Sequence, residues 1–210
     1  MKIDIFREHR DEYAMPKEPA LVRVGSGRYL SVRGTGAPGN DEFQRAMGAL
    51  YGTAYTLKFA MKKRGRDFKV AASEGLWTAD GGGPRALAQP RSTWRWKLLI
   101  RVPDFVTAAN VRDALEELRA KKGPQPHVAL ETLREGNAVQ VLHVGAYADE
   151  PRTIAKMDEF VRERRLRYRG AHHEIYLSDP RRAAPSRLRT ILRHPVVAAR
   201  RPRSSSAARA

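Results

Sequence analysis

Two stretches of this 210-residue chain repeat one plan, and the repeat limits the folds open to it. The β-type run 28–33 passes through Gly34 into a helix-period segment carrying Phe43 and Met47. The run 138–144 passes through Gly145 into a second such segment carrying Ile154 and Met157. In both, the first of these apolar residues falls nine positions after the glycine. Two related halves packed side by side satisfy that pattern, and paired halves leave a cleft at their junction, a common place for a ligand.

The surrounding elements follow from periodicity and punctuation. Residues 21–33 hold two short β-type runs around Gly25-Ser26-Gly27. Asn40 or Asp41 can cap a helix running to Lys62, in which Phe43, Met47, Leu50, Ala54, Leu57 and Met61 recur every three or four residues. Phe68–Ala72 opens a strand that extends to Trp77, and Trp94–Val102 forms another. Thr107 caps a helix that stops at Gly123-Pro124. His127–Leu133 and Ala138–Val144 read as a hairpin turning at Gly136-Asn137. Residues 148–166 form the third long helix, His172–Leu177 the last strand, and 185–193 a short terminal helix. The order ββ-α-β-β-α-β-β-α-β is an α+β pattern.

Composition narrows the class. Hydrophobic residues make up 41%, enough for a core, and the absence of cysteine excludes disulfides and thiolate chemistry. No apolar run approaches the roughly 18 residues a membrane span needs. The charged start "MKIDIFREHRDEY" lacks an apolar signal core, so a soluble cytoplasmic protein is expected. The net charge of +17 points toward nucleic acid, but nine of the 40 basic residues lie in 181–210, which has no Asp or Glu. That leaves +8 for the first 180 residues. The Arg-, Pro-, Ser- and Ala-rich end is expected to be a disordered tail after Pro195 with no specific nucleic-acid site. The expected organisation is an N-terminal extension (1–20), one domain (21–195) and a basic tail (196–210).

The segment "HHEIYLSDP" carries the most unusual strand. Alternation sends Ile175 and Leu177 to one side and Glu174 and Tyr176 to the other. The apolar pair should face the helices, leaving Glu174 and Tyr176 toward either water or an inter-half cleft. A carboxylate in an aromatic cleft can attract a planar cation, or its pKa can rise until it serves as an acid or base. Tyr147, just after a strand and a glycine, would sit at the cleft mouth and could donate to a developing negative charge. Trp77, in "EGLWTADGGG", is the tryptophan best placed to line a site, with Trp94 and Trp96 expected in the core. Tyr51 and Tyr55 share one stripe of the first long helix. His172 and His173 face opposite sides and cannot readily share a metal, and His127 and His143 are isolated, so no metal site and no cofactor are implied. Neither glycine-rich loop matches a phosphate-binding pattern.

"LYGTAYTLKFAMKK", "EGLW", "RVPDFVT", "EGNAVQVLHVGAYADEP", "HHEIYLSDPRR" and "LRTILRHPV" occur in this order. Together they resemble the standalone GyrI-like (gyrase-inhibitor-like) small-molecule-binding proteins, related to effector-binding domains of multidrug-responsive transcription activators. The resemblance runs from about Lys17 to Val196. It implies two strand-helix-strand-strand modules in a pseudo-two-fold arrangement around a central ligand cleft. It also implies that Glu174 is the family's buried acid, Tyr147 the tyrosine of its "GPY" motif and Trp77 a tryptophan of its "EGLWW" motif. Ala146 replaces the proline of the first motif, and Thr78 replaces the second tryptophan of the other. Some standalone members hydrolyse strained or electrophilic compounds such as cyclopropanoids and isothiocyanates.

The expected function is therefore xenobiotic small-molecule binding, with hydrolysis carried by Glu174 and Tyr147 in a pocket lined by Trp77, Tyr51, Tyr55, Trp94, Trp96 and Tyr176. One alternative is a non-catalytic module that sequesters hydrophobic cations. Another is a regulator of DNA gyrase or nucleic acid acting through the basic tail. The roughly 20 residues before the first strand leave no room for a helix-turn-helix domain.

Overall fold

The computed structural model of the chain describes residues 2–80 and 88–199. After a short helix α1 (Ile5–Glu8) come β1 (Ala20–Thr35), α2 (Asp41–Lys63), β2 (Ser73–Thr78), β3 (Arg95–Val102) and α3 (Ala108–Lys122). The second part holds β4 (Ala129–Val144), α4 (Glu150–Glu163), β5 (Leu166–Tyr168), β6 (His172–Tyr176) and β7 (Arg189–Ala198). The α+β class holds, and β1-α2-β2-β3 and β4-α4-β6-β7 are each strand, helix, strand, strand. Asn40 caps α2 by accepting from the Phe43 amide at 2.8 Å, and Thr107 opens α3 with a reciprocal capping box.

Strand pairing is antiparallel in the order β4-β1-β3-β2-β6-β7, and β7 pairs again with β4. Six strands thus close into a ring, with β5 beside the far end of β7. Helices α2 and α3 cover one side of the outer surface with Leu50, Leu57 and Val111, over Leu30, Leu98 and Ile100. Helix α4 covers another with Met157 and Val161, over Val139, Val141 and Leu192.

Closure accounts for the differences from the sequence reading. The expected hairpin at Gly136-Asn137 is one continuous strand, because β4 pairs with β1 on both sides of that point, from Ala20–Gln140 to Ser31–Ala129. Gly136 takes φ +70° inside the strand instead of making a turn. Likewise the two runs around Gly25 are the single strand β1. Phe68–Ala72 is not strand; Phe68 makes only an isolated bridge to Ile3, and β2 starts at Ser73. The expected terminal helix at 185–193 is a short 3-10 turn, Pro185–Arg187, followed by β7. Residues on both faces of β7 are buried, so its sequence lacks the alternation that marks a half-exposed strand. Strand β7 continues to Ala198, and the remainder of the expected tail, 200–210, lies outside the described residues, as does most of the glycine-rich loop, at 81–87.

The interior of the ring is ionic. His173 on β6 bonds Glu74 on β2 through Nε2 (2.8 Å) and Glu135 on β4 through Nδ1 (3.0 Å). Arg193 on β7 donates to the other oxygen of Glu135 at 2.8 Å and to Gln140 at 2.6 Å. Arg101 on β3 lies 5.8 Å from the ring of Tyr29 on β1. All six strands of the ring contribute, which only an interior position allows. The N-terminal segment completes the set. Glu12 pairs with Arg101 at 2.6 Å, and the buried Tyr13 donates to Glu74 at 2.8 Å. Three carboxylates thus meet three cations, and none of these groups is left buried without a hydrogen bond. Residues 3–16 are therefore structural, and Arg193, counted on sequence within the basic end, is an interior cation.

Burial alone would pull His173 down, but Glu135 and Glu74 outweigh it and hold its pKa up at about 9. A histidine raised above its unfolded value of about 6.5 stabilises the fold fully below that pH. The contribution is lost as pH rises through about 9. It is on the order of 3 kcal/mol. Urea unfolding should show stability falling between pH 6.5 and 9, and His173→Gln should flatten that slope.

Candidate functional site

Glu174 follows His173 on β6 and so lies on the opposite side of the sheet from the ionic interior. It pairs with Gly75 of β2, while His172 pairs with Trp77. Phe43 of α2 packs on that same face, its ring 6.1 Å from Trp77 and 5.3 Å from Trp96. The alternation read from the sequence is correct, but the assignment of faces reverses. Ile175 sits opposite Glu74 and Ile191 with the interior residues, and Glu174 and Tyr176 are the pair on the helix-covered face. The closed ring has an inner side to fill, which a flat sheet would not.

A short relay fixes the carboxylate. Trp77 Nε1 donates to Tyr176 Oη at 3.0 Å, and Tyr176 donates to Glu174 Oε2 at 2.8 Å. Gly75 makes the relay possible. A Cβ there would lie 2.7 Å from both the indole nitrogen and the phenol oxygen. This gives the glycine of "EGLW" a steric reason. The Trp94 ring stands edge-on to Trp77 at 5.6 Å, and the Tyr147 ring edge-on to Tyr176 at 6.0 Å. Tyr147 lies in the 3-10 turn Tyr147–Asp149 that leads into α4. His143 fixes that turn, with Nε2 3.1 Å from the Ala146 carbonyl and Nδ1 2.8 Å from the Thr153 hydroxyl.

Burial pushes Glu174 up to about 7, against the opposing pull of Tyr176, the His173 charge, Trp77 and Arg91. Burial, then the charges of Glu174 and Glu150, pushes Tyr147 up to about 12, so its phenol remains a proton donor. His172 lies 3.6 Å from Glu174 Oε1, but burial and the neighbouring His194 and His173 drive it down to about 3, so it is neutral there.

The structure therefore gathers Glu174, Tyr176, Trp77, Trp94 and Tyr147. It does not gather the rest. Trp96 is core, packed on Phe43 and over Gly34. Tyr51 pins α2 to β2 by accepting from the Ser73 amide at 3.2 Å, and Tyr55 is exposed between Tyr51 and Phe59. The residue that sequence reasoning missed is Glu150. It opens α4, is 7% exposed, and has an oxygen, Oε1, without a partner. An acidic residue before Pro151 in a first helical turn reads as ordinary dipole compensation, which hid it. Hollows of about 360 Å³, bounded by Phe6, Met15, Lys69 and Arg189, and about 200 Å³, bounded by Arg33, His127 and Glu131, lie away from these groups. Among the described residues, no group of three or more His, Asp or Glu could hold a metal ion, and no helix is long and apolar enough to cross a membrane.

Tyr176→Phe removes the hydrogen bond that holds Glu174 down, a charge-assisted bond of about 1.5–3 kcal/mol. The Glu174 titration should move up by about one unit or more, read by carboxyl-carbon NMR against a Glu174→Gln spectrum. An unmoved titration would contradict the relay.

A family model described as the GyrI-like small molecule binding domain matches residues 17–197. A solved uncharacterized conserved protein from Listeria innocua is 38% identical, with TM-score 0.86, covering 93% of this chain and all of that one. A structure described as a hydrolase from the same organism is also 38% identical, with TM-score 0.82 and the same coverage. The EcmrR C-terminal domain shares the fold at 12% identity and TM-score 0.59, covering 88% of this chain and 99% of that one. No curated protein is matched.

Proposed function

We propose that this chain, which belongs to the GyrI-like small-molecule-binding domain family, hydrolyses electrophilic small molecules such as isothiocyanates or cyclopropanoids at Glu174. The observation that carries the proposal is a buried carboxylate, raised toward neutral, held by a Trp77–Tyr176 relay beside aromatic walls. A base of that kind is partly ionised near neutral pH and keeps a high affinity for a proton, the match that general-base catalysis needs. Glu174 takes a proton from water as the water oxygen attacks the electrophilic carbon. Tyr147, protonated throughout, donates to the negative charge that develops. Trp77 and Trp94 wall the apolar part of the substrate, and Trp94 supplies the second indole that Thr78 does not. The likeness to the Listeria innocua structures described as hydrolases supports this reading.

A second reading is non-catalytic capture of hydrophobic cations. The paired acids Glu174 and Glu150 amid aromatic rings favour it. It gives dye binding without turnover, with cation affinity but not neutral-ligand affinity lost in Glu174→Gln.

For benzyl isothiocyanate, kcat/KM should rise with pH through about 7 as Glu174 ionises. Glu174→Gln should lower it by about 100-fold or more. Equal rates for the two proteins would exclude Glu174 as the base.

A further inference from the structure

We infer that Glu150 is a second catalytic carboxyl, which holds a proton in the resting site and gives it to the substrate atom that takes up the electron pair while Glu174 takes one from water. The inference rests on the hydrolytic reading above. Glu150 lies three residues beyond Tyr147, at the start of α4, on the turn that His143 ties down from both sides. It is buried and its Oε1 has no partner, an arrangement costly for a carboxylate and far less so for a carboxylic acid. The groups that face it are Glu174 and Tyr176 from β6, Tyr147 from the preceding turn and Arg91 from the segment before β3. Arg91 is the cation of this set and stands over the Trp94 ring at 5.6 Å. Burial and the charge of Glu174 push Glu150 far above the ordinary carboxylate range and above Glu174 itself. Two carboxyls separated in this way divide the roles of acid and base.

The proton account closes on an isothiocyanate, R–N=C=S. The water oxygen bonds to carbon, and the C=N π pair moves to nitrogen. Glu174 takes a water proton, and Glu150 protonates the nitrogen. The product is the thiocarbamic acid R–NH–C(=S)–OH, and a proton passing from Glu174 to Glu150 restores the site.

The experiment compares wild type and Glu150→Gln on 4-methoxyphenyl, phenyl and 4-nitrophenyl isothiocyanates, with carboxyl-carbon NMR of glutamate-labelled wild type alongside. The nitro compound spreads charge from nitrogen and needs the acid least. Glu150→Gln should lose about 100-fold on the methoxy compound, much less on the nitro compound, and the alkaline fall of the wild-type pH profile. An equal loss across the series, or none, overturns the acid role and leaves the hydrolytic reading standing. A Glu150 carboxyl that titrates in the ordinary range in wild type overturns it regardless of how the variant folds. Wild type inactive on all three compounds removes the hydrolytic reading, and the acid role with it.

Discussion

Inside the ring, the imidazole of His173 is held between Glu74 at 2.8 Å and Glu135 at 3.0 Å. These carboxylates come from strands in different halves of the chain, so a single side chain ties the two repeats together. Arg193, Arg101 and the N-terminal Glu12 and Tyr13 extend the contact into a network in which each charge has a partner. A buried network of this kind specifies geometry more than it adds stability, since the desolvation of its members offsets much of their attraction. Here it sets the rotation of β6 about its own axis.

That rotation places the chemistry. With His173 fixed inward, Glu174 must face outward, on the face that carries Trp77 and Phe43 and beside the turn into α4. The two systems touch electrically across one peptide unit, because the charge on His173 draws Glu174 down while burial pushes it up. A base near neutrality follows from the scaffold's own ions as well as from the aromatic walls around it.

Much of this was legible in the sequence. The repeat, the caps of α2 and α3 and the alternation within "HHEIYLSDP" all have short-range causes, and periodicity reports short-range causes well. Glu174, Tyr147 and Trp77 were found partly through residue types and partly through family resemblance. What was hidden depends on ring closure. Arg193 was counted with the basic end and Glu135 fell beside an expected turn, since nothing local shows that a strand has an inward side filled with ions. The apolar run of β7 resembled a helix because burial of both its faces erases alternation. Glu150 was masked by its position in a first helical turn, where an acid is commonplace.

The division between the two faces of the ring has a wider consequence. The ions that hold the halves together point inward, and the candidate ligand walls are rings outside any ion pair, Trp77 packed on Trp94 and Tyr147 on Tyr176. Replacing one such wall changes the shape and polarity offered to a small molecule but leaves the interior charge balance intact. Scaffold and specificity are therefore separable properties of this architecture. Divergence in ligand range can proceed one wall at a time, whereas a change to any interior charge must be matched by a second change inside the ring.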